Sequence, residues 1–224
     1  MPRAELDPRA LGRARRKFLR VFPAGFQGAT YLEWERDYKV ESHRRWQAQL
    51  GEASFRELLA AREFREIARR ALKVEQQSRH SMVFTFEKMA LRDAVKTPAG
   101  SARFAQALFD LLHSKSPPAP RFDRWIAELD RLPRRQARLV TWPVATVFGF
   151  LAQPRTHIFV KPLVMRRAAA VCGYSLTYRS RPSSDVYQQF LSLARLVRRG
   201  VSDLGPRDLI DVQSFLWVQG SDEY

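Results

Sequence analysis

Lys161 stands directly before Pro162 in the run Val160-Lys161-Pro162-Leu163-Val164-Met165-Arg166-Arg167. Proline favours the first helical position, where its missing N–H leaves no partner wanting and its φ is already set. The spacing therefore puts Lys161 at the N-cap of a helix or just before it. A cation is the wrong charge for a helix N-terminus. An amine placed there clamps a phosphate, acts as a nucleophile, or lays its stem along apolar surface and reaches water. Farther along, Gly205-Pro206-Arg207-Asp208-Leu209-Ile210-Asp211 sets Asp208 and Asp211 three residues apart on one helix face. Such a pair suits a general base with a helper, or two first-turn carboxylates favoured by the helix dipole. Asp211 lies among apolar residues and needs a cation, for which Arg166 or Arg167 is the expected partner. Lys161 and Asp211 are the candidates for catalysis.

Two basic segments are candidates for phosphate contact. Arg131-Leu132-Pro133-Arg134-Arg135-Gln136-Ala137-Arg138 reads as a turn between helices, and Tyr178-Arg179-Ser180-Arg181-Pro182 as a loop. Turns and helix ends present backbone N–H groups to phosphate, and arginine adds bidentate charge. The nucleic-acid-binding set is accordingly Arg134, Arg135, Arg138, Trp142, Arg166, Arg179 and Arg181, with Trp142 or Tyr178 available to stack on a base. The sequence contains no Ser/His/Asp pattern, no GxGxxG and no phosphate-loop motif. Four histidines are scattered without paired spacing, and the single Cys172 lies in an apolar helix. No metal site and no cofactor are expected.

The totals favour a polyanionic partner. Lys and Arg number 39 against 23 Asp and Glu, for a formal charge of +16. A folded chain with that imbalance repels itself, and a phosphate-rich partner is the usual compensation. DNA is the expected partner. Arginine-rich codon usage and an acidic protein partner are the alternatives. A hydrophobic share of 45% excludes a disordered basic tail. One cysteine permits no intrachain disulfide. The longest apolar run, Val144 to Ala152, is far short of the ~20 residues that cross a bilayer, and the basic N-terminus lacks the apolar stretch of a secretory signal. A cytoplasmic location without membrane contact is expected.

These residues must be positioned by helices. Residues 1–30 read as a basic arm and turn, and 31–224 as one all-α domain with a possible lobe boundary at 115–120. Helices are expected from about Tyr31 to Leu50, from a capping box at Ser54-Phe55-Arg56-Glu57 through Leu72, from Phe86 to Val95, and from Thr97-Pro98 onward. Phe122, Trp125, Ile126, Leu129 and Leu132 form an amphipathic stripe. Val144 to Ala152 is apolar nearly all round and must be central. Ile158-Phe159-Val160 reads as a short extended piece, and the final helices run from Pro162, Asp185 and Gly205-Pro206.

From residue 84 to 220 this order of features resembles the helix-hairpin-helix DNA glycosylase superfamily, which includes the endonuclease III-like repair enzymes. Leu132-Pro133 stands where that family has its hairpin, and Pro143 to Ala152 is its apolar helix. Val160-Lys161-Pro162-Leu163-Val164-Met165-Arg166 matches the segment that opens the next helix, and Asp211 to Gly220 is the closing helix. The resemblance implies a bilobed helical fold, DNA repair, and a cleft where an extruded base is held. Two departures are plain. The hairpin interval from Arg134 to Trp142 has no glycine, and Lys161 occupies the place of the family's catalytic aspartate. The position of the lyase lysine falls at about Val144, which forms no Schiff base. The reading is therefore a DNA-binding protein that recognises distorted or damaged DNA without standard glycosylase chemistry. The alternative is a divergent glycosylase or abasic-site lyase that uses Lys161.

Overall fold

The computed structural model describes residues 5–77, 82–133 and 139–224, and among them every regular element is a helix. The all-α expectation holds. Apolar residues at three- and four-residue steps generate the elements, and one continuous core collects them, from Ala14 on the first helix to Val218 on the last.

Helix α1 (Pro8–Val21) is capped by Asp7, whose carboxylate accepts from the Arg9 and Ala10 N–H groups. It buries Ala10, Ala14 and Phe18 and packs on α10 and α12. Residues 8–21 are therefore part of the folded unit rather than a detached basic arm. Phe22 and Phe26 plug the core on either side of Gly25, whose φ of 59° suits a residue without a Cβ.

Helices α2 (Ala29–Tyr31) and α3 (Asp37–Leu50) are joined by a π-helical turn, Leu32–Arg36. One extra residue per turn rotates the helix beyond it, and such turns often re-aim functional side chains. Here the turn buries Glu35 and directs Arg36 to the start of α12. The expected capping box lies inside a helix instead of opening one. Helix α4 (Glu52–Ala60) starts three residues earlier, with Gly51 at its N-cap. The single helix anticipated through Leu72 is two, because Arg62 adopts a φ of 59° and breaks the chain before α5 (Phe64–Gln76).

Helix α6 (Thr85–Ala94) leads to α7 (Pro98–His113), where Thr97 caps as expected, accepting from the Gly100 N–H at 3.0 Å. Residues 114–117 link α7 to α8 (Pro118–Asp130), so the second half of the Pro-rich segment 115–120 is already helical. Helices α7 and α8 pack directly on each other within the common core. The central helix α9 (Trp142–Ala152) is buried along its whole length. Ile158, Phe159 and Val160 are buried but irregular, and the Val160 N–H donates to Thr146 Oγ1 at 3.0 Å. Helix α10 (Pro162–Val171) ends at Gly173, with a φ of 70°. Helix α11 (Ser184–Gly200) comes next. Helix α12 (Leu209–Gly220) begins after Asp208, which is its N-cap rather than a first-turn residue, accepting from the Ile210 and Asp211 N–H groups. Among the described residues no helix is long and apolar enough to cross a membrane.

Candidate nucleic-acid interface and the Lys161 cleft

Lys161 is the N-cap residue of α10, as its place before Pro162 dictates. Its ammonium lies 5.1 Å from the centroid of the Phe84 ring and 4.9 Å from that of Trp217. Two aromatic faces compensate for the unfavourable helix end, since a ring's quadrupole attracts a cation at this range. Among the described residues no carboxylate lies within ion-pairing distance of it. Phe84 is held by a polar staple beneath it. Glu87 Oε2 accepts from the Phe84 N–H at 3.0 Å, and Glu75 Oε1 accepts from the Met82 and Val83 N–H groups at 3.2 and 3.1 Å. Lys88 neutralises Glu75 at 2.9 Å. Burial raises the Glu87 carboxyl above its usual value.

Lys161 opens onto a cleft of about 520 Å³ walled by Trp34, Tyr38, Phe159, Trp217 and Tyr224. Trp34 is 52% exposed at the rim. On the floor, Lys39 Nζ donates to Glu35 Oε2 at 2.7 Å and to Ser214 Oγ at 2.8 Å, while the Tyr224 hydroxyl donates to Glu35 Oε1 at 2.6 Å. Burial works against the Lys39 ammonium, but Tyr38 and Glu35 beside it outweigh burial and hold its pKa above the usual lysine value. Burial and then Glu35 push the Tyr224 hydroxyl well up. Gln213, 4% exposed, also lines the cleft, and its side-chain oxygen has no hydrogen-bond partner among the described residues. A buried, unpaired carbonyl oxygen is costly and calls for a donor. The cleft thus offers flat aromatic walls, the Lys161 cation and the Gln213 acceptor, beside the carboxylates of Glu33, Glu35 and Glu223.

Asp211 is 0% exposed and saturated. It accepts from the Tyr31 hydroxyl at 2.6 Å, from Arg36 at 2.8 Å, and from the Arg207 backbone N–H and guanidinium at 2.8 to 3.0 Å. Burial would raise its carboxyl, but these bonds and the Arg36 charge hold it below the ordinary aspartate value. Arg36 also grips Asp208 through two bonds of 2.9 Å. Asp211 is thus a structural anchor and has no free lone pair to act as a base. Its partners are Arg36 and Arg207, not the expected Arg166 or Arg167, because the π-helical turn brings Arg36 across from far upstream in the sequence. Arg167 instead pairs with Asp222 at 2.8 Å, and Arg166 lies 4.7 Å from the Tyr178 ring centroid.

The remaining predicted positions divide. Trp142 is 1% exposed, packs on Phe122 and Phe190, and donates its ring N–H to the Arg179 carbonyl at 2.9 Å. A ring so enclosed belongs to the core and cannot stack on a base. Arg181 reaches Asp130 at 3.1 Å and Arg179 reaches Asp185 at 3.5 Å. The first contact brings the 178–182 loop beside the end of α8. Arg134, Arg135 and Arg138 lie outside the described residues. Cys172 is buried, and burial pushes its thiol up to about 12, in keeping with an inert core position.

One surface is stronger than any predicted one. Arg9, Arg13, Arg16 and Arg20 take the steps i, i+4, i+7 and i+11, and all four are exposed on α1. No acidic residue occurs anywhere on that helix. The row extends about 16 Å at ~1.5 Å per residue. It ends beside the cleft, since Phe22, the C-cap of α1, packs on Trp34 at 6.4 Å and Tyr224 at 5.8 Å. The helical spacing of these arginines is legible in the sequence itself.

Fold and site together define a strongly basic, all-helical protein with a lysine lining an aromatic-walled cleft. No family model matches the chain, and no curated protein or solved structure is significantly similar to it.

Proposed function

We propose that this protein binds DNA, with the arginine row of α1 on the phosphate backbone and the Lys161 cleft receiving a displaced or unpaired nucleotide. The row carries the reading. Four exposed arginines on one helix face, with no carboxylate on the helix, pair with no acidic residue among those described, whereas phosphates would neutralise them with release of counterions. The cleft supports the second half. Its aromatic walls suit the flat face of a base, and the unpaired Gln213 oxygen suits an amino group on the base edge. Distorted or damaged DNA is the favoured target, because a base that is already unpaired costs less to displace.

The test compares an intact duplex with the same duplex carrying an abasic site, by fluorescence anisotropy. Tighter binding to the abasic duplex, lost in Trp217→Ala, supports the reading. Equal affinity for both limits the protein to backbone contact, and no binding to either removes DNA as the partner.

A second reading rests on Lys161, whose amine lines the cleft and makes no ion pair within 4.0 Å among the described residues. Attack on the aldehyde carbon of an abasic sugar, with loss of water, gives an imine that borohydride reduces to a stable amine. A covalent adduct that disappears in Lys161→Ala supports abasic-site lyase chemistry. An adduct that survives the substitution, or none, removes it.

A further inference from the structure

A second cationic surface lies away from α1, in the groove between α5 and α6. Its floor is apolar, made by Ala68, Leu72 and Val95, and its rims carry Arg65, Arg69 and Lys73 on α5 and Arg92 and Lys96 on and just beyond α6. Glu66 is committed to Arg69 and Arg70, at 2.6 and 2.7 Å, and Asp93 to Lys96 at 2.6 Å. Among the described residues no carboxylate pairs with Arg65, Lys73 or Arg92, so the groove keeps a surplus of positive charge. The same face of α6 continues through Met89 and Phe86, both 58% exposed. Phe86, Met89, Arg92 and Lys96 are set at three- and four-residue steps along the chain.

From this pattern we infer that the α5–α6 groove docks an acidic amphipathic helix of a partner protein. Large apolar side chains left in water beside a cationic rim fit a ligand that is apolar on one side and anionic on the next. The phosphodiester backbone offers charge but nothing to cover Phe86 and Met89, whereas Leu72 and Val95 are already buried in the groove floor. The cations on each rim are four residues apart, about 6 Å, which is also the rise between carboxylates four apart on a docked helix. The groove spans Arg65 to Gln76 on α5, a length that takes about three turns of helix. The groove is separate from the proposed DNA surface on α1, since α1 packs on α10 and α12 while α5 packs on α3, α4 and α7.

The probe is a fluorescein-labelled peptide of about fifteen residues, with Glu at four-residue steps and Leu on the adjoining face. Its control has the same composition in scrambled order, and both are titrated with the full chain. The patterned peptide is expected to bind at least about tenfold more tightly than the control, a difference of about 1.4 kcal/mol. The double variant R92E/K96E, whose sites are exposed, loses that binding, and M89S weakens it. The R9A/R13A/R16A/R20A variant keeps it. Failure of the patterned peptide to bind, equal binding of the scrambled peptide, or binding unchanged in R92E/K96E overturns the inference. Displacement of the peptide by duplex DNA, with duplex binding also lost in R92E/K96E, assigns the groove to nucleic acid instead.

Discussion

Replacing Asp211 by alanine separates an anchor from a base. In the intact protein the carboxylate is fully buried and satisfies Tyr31, Arg36 and two groups of Arg207. Removing it leaves the buried Tyr31 hydroxyl and the Arg207 N–H without acceptors, while Arg36 retains only Asp208. Breaking a buried charge network by deleting one partner costs about 3–5 kcal/mol. For a chain of this size each kcal/mol moves the melting temperature by about 2–4 °C, so Asp211→Ala should melt about 6–20 °C lower, as monitored by circular dichroism at pH 7. The pH dependence has a definite sign. A carboxyl held below its unfolded value of about 3.9 stabilises the fold fully above that pH and loses its contribution as pH falls further. The wild type should therefore weaken more steeply than the variant below about pH 4. A loss under about 1 kcal/mol, or equal slopes in acid, would refute the assignment of Asp211 as an anchor.

Trp142→Ala should cost about 3–5 kcal/mol through an unfilled core, by chemical denaturation, and leave the salt dependence of the proposed DNA binding unchanged. Cys172, its thiol pushed up to about 12 by burial, should react with a thiol reagent only after denaturant is added; rapid labelling of the native protein contradicts its placement. Gly220→Ala should destabilise the protein by about 1–3 kcal/mol, because its new Cβ would sit 2.0 Å from the Val164 carbonyl oxygen where α12 crosses α10. Burial, assisted by the Arg121 charge, pushes His157 down from 6.5 to about 4. Its contribution is whole above pH 6.5 and is lost as pH falls toward 4, so His157→Asn should flatten the stability profile within that window.

Local signals in the sequence were sound where one residue governs its own neighbourhood. Pro162 and Thr97-Pro98 start helices, Gly173 ends one, and the stripe from Phe122 to Leu132 is buried as its spacing requires. The failures involve distance or backbone detail. Ser54 and Glu57 have the types of a capping box, yet the chain is already helical at Glu52 and breaks at Arg62, whose positive φ no pattern announces. Asp211 visibly needed a cation, but only the π-helical turn at Leu32–Arg36 selects Arg36 over nearer arginines. Trp142 looked available for stacking because aromatic type does not reveal exposure. Pro162 alone marks Lys161 as an unusual amine at a helix start. The rings that surround it, Phe84 and Trp217, come from opposite ends of the resembling segment and could be paired only in space. The arginine row of α1 was open to view, because its steps repeat at the helical period.

DNA binding stands or falls most directly with that row. Binding of a duplex by the wild type and by R9A/R13A/R16A/R20A, measured by anisotropy across a salt series, counts the phosphates each neutralises. Each phosphate contributes about 0.9 to the slope of log affinity against log salt. Four lost contacts should flatten the slope by about 3.6 and weaken binding at low salt, with the helical fold intact by circular dichroism. An unchanged slope would mean that α1 does not carry the DNA, and the proposed interface would be wrong.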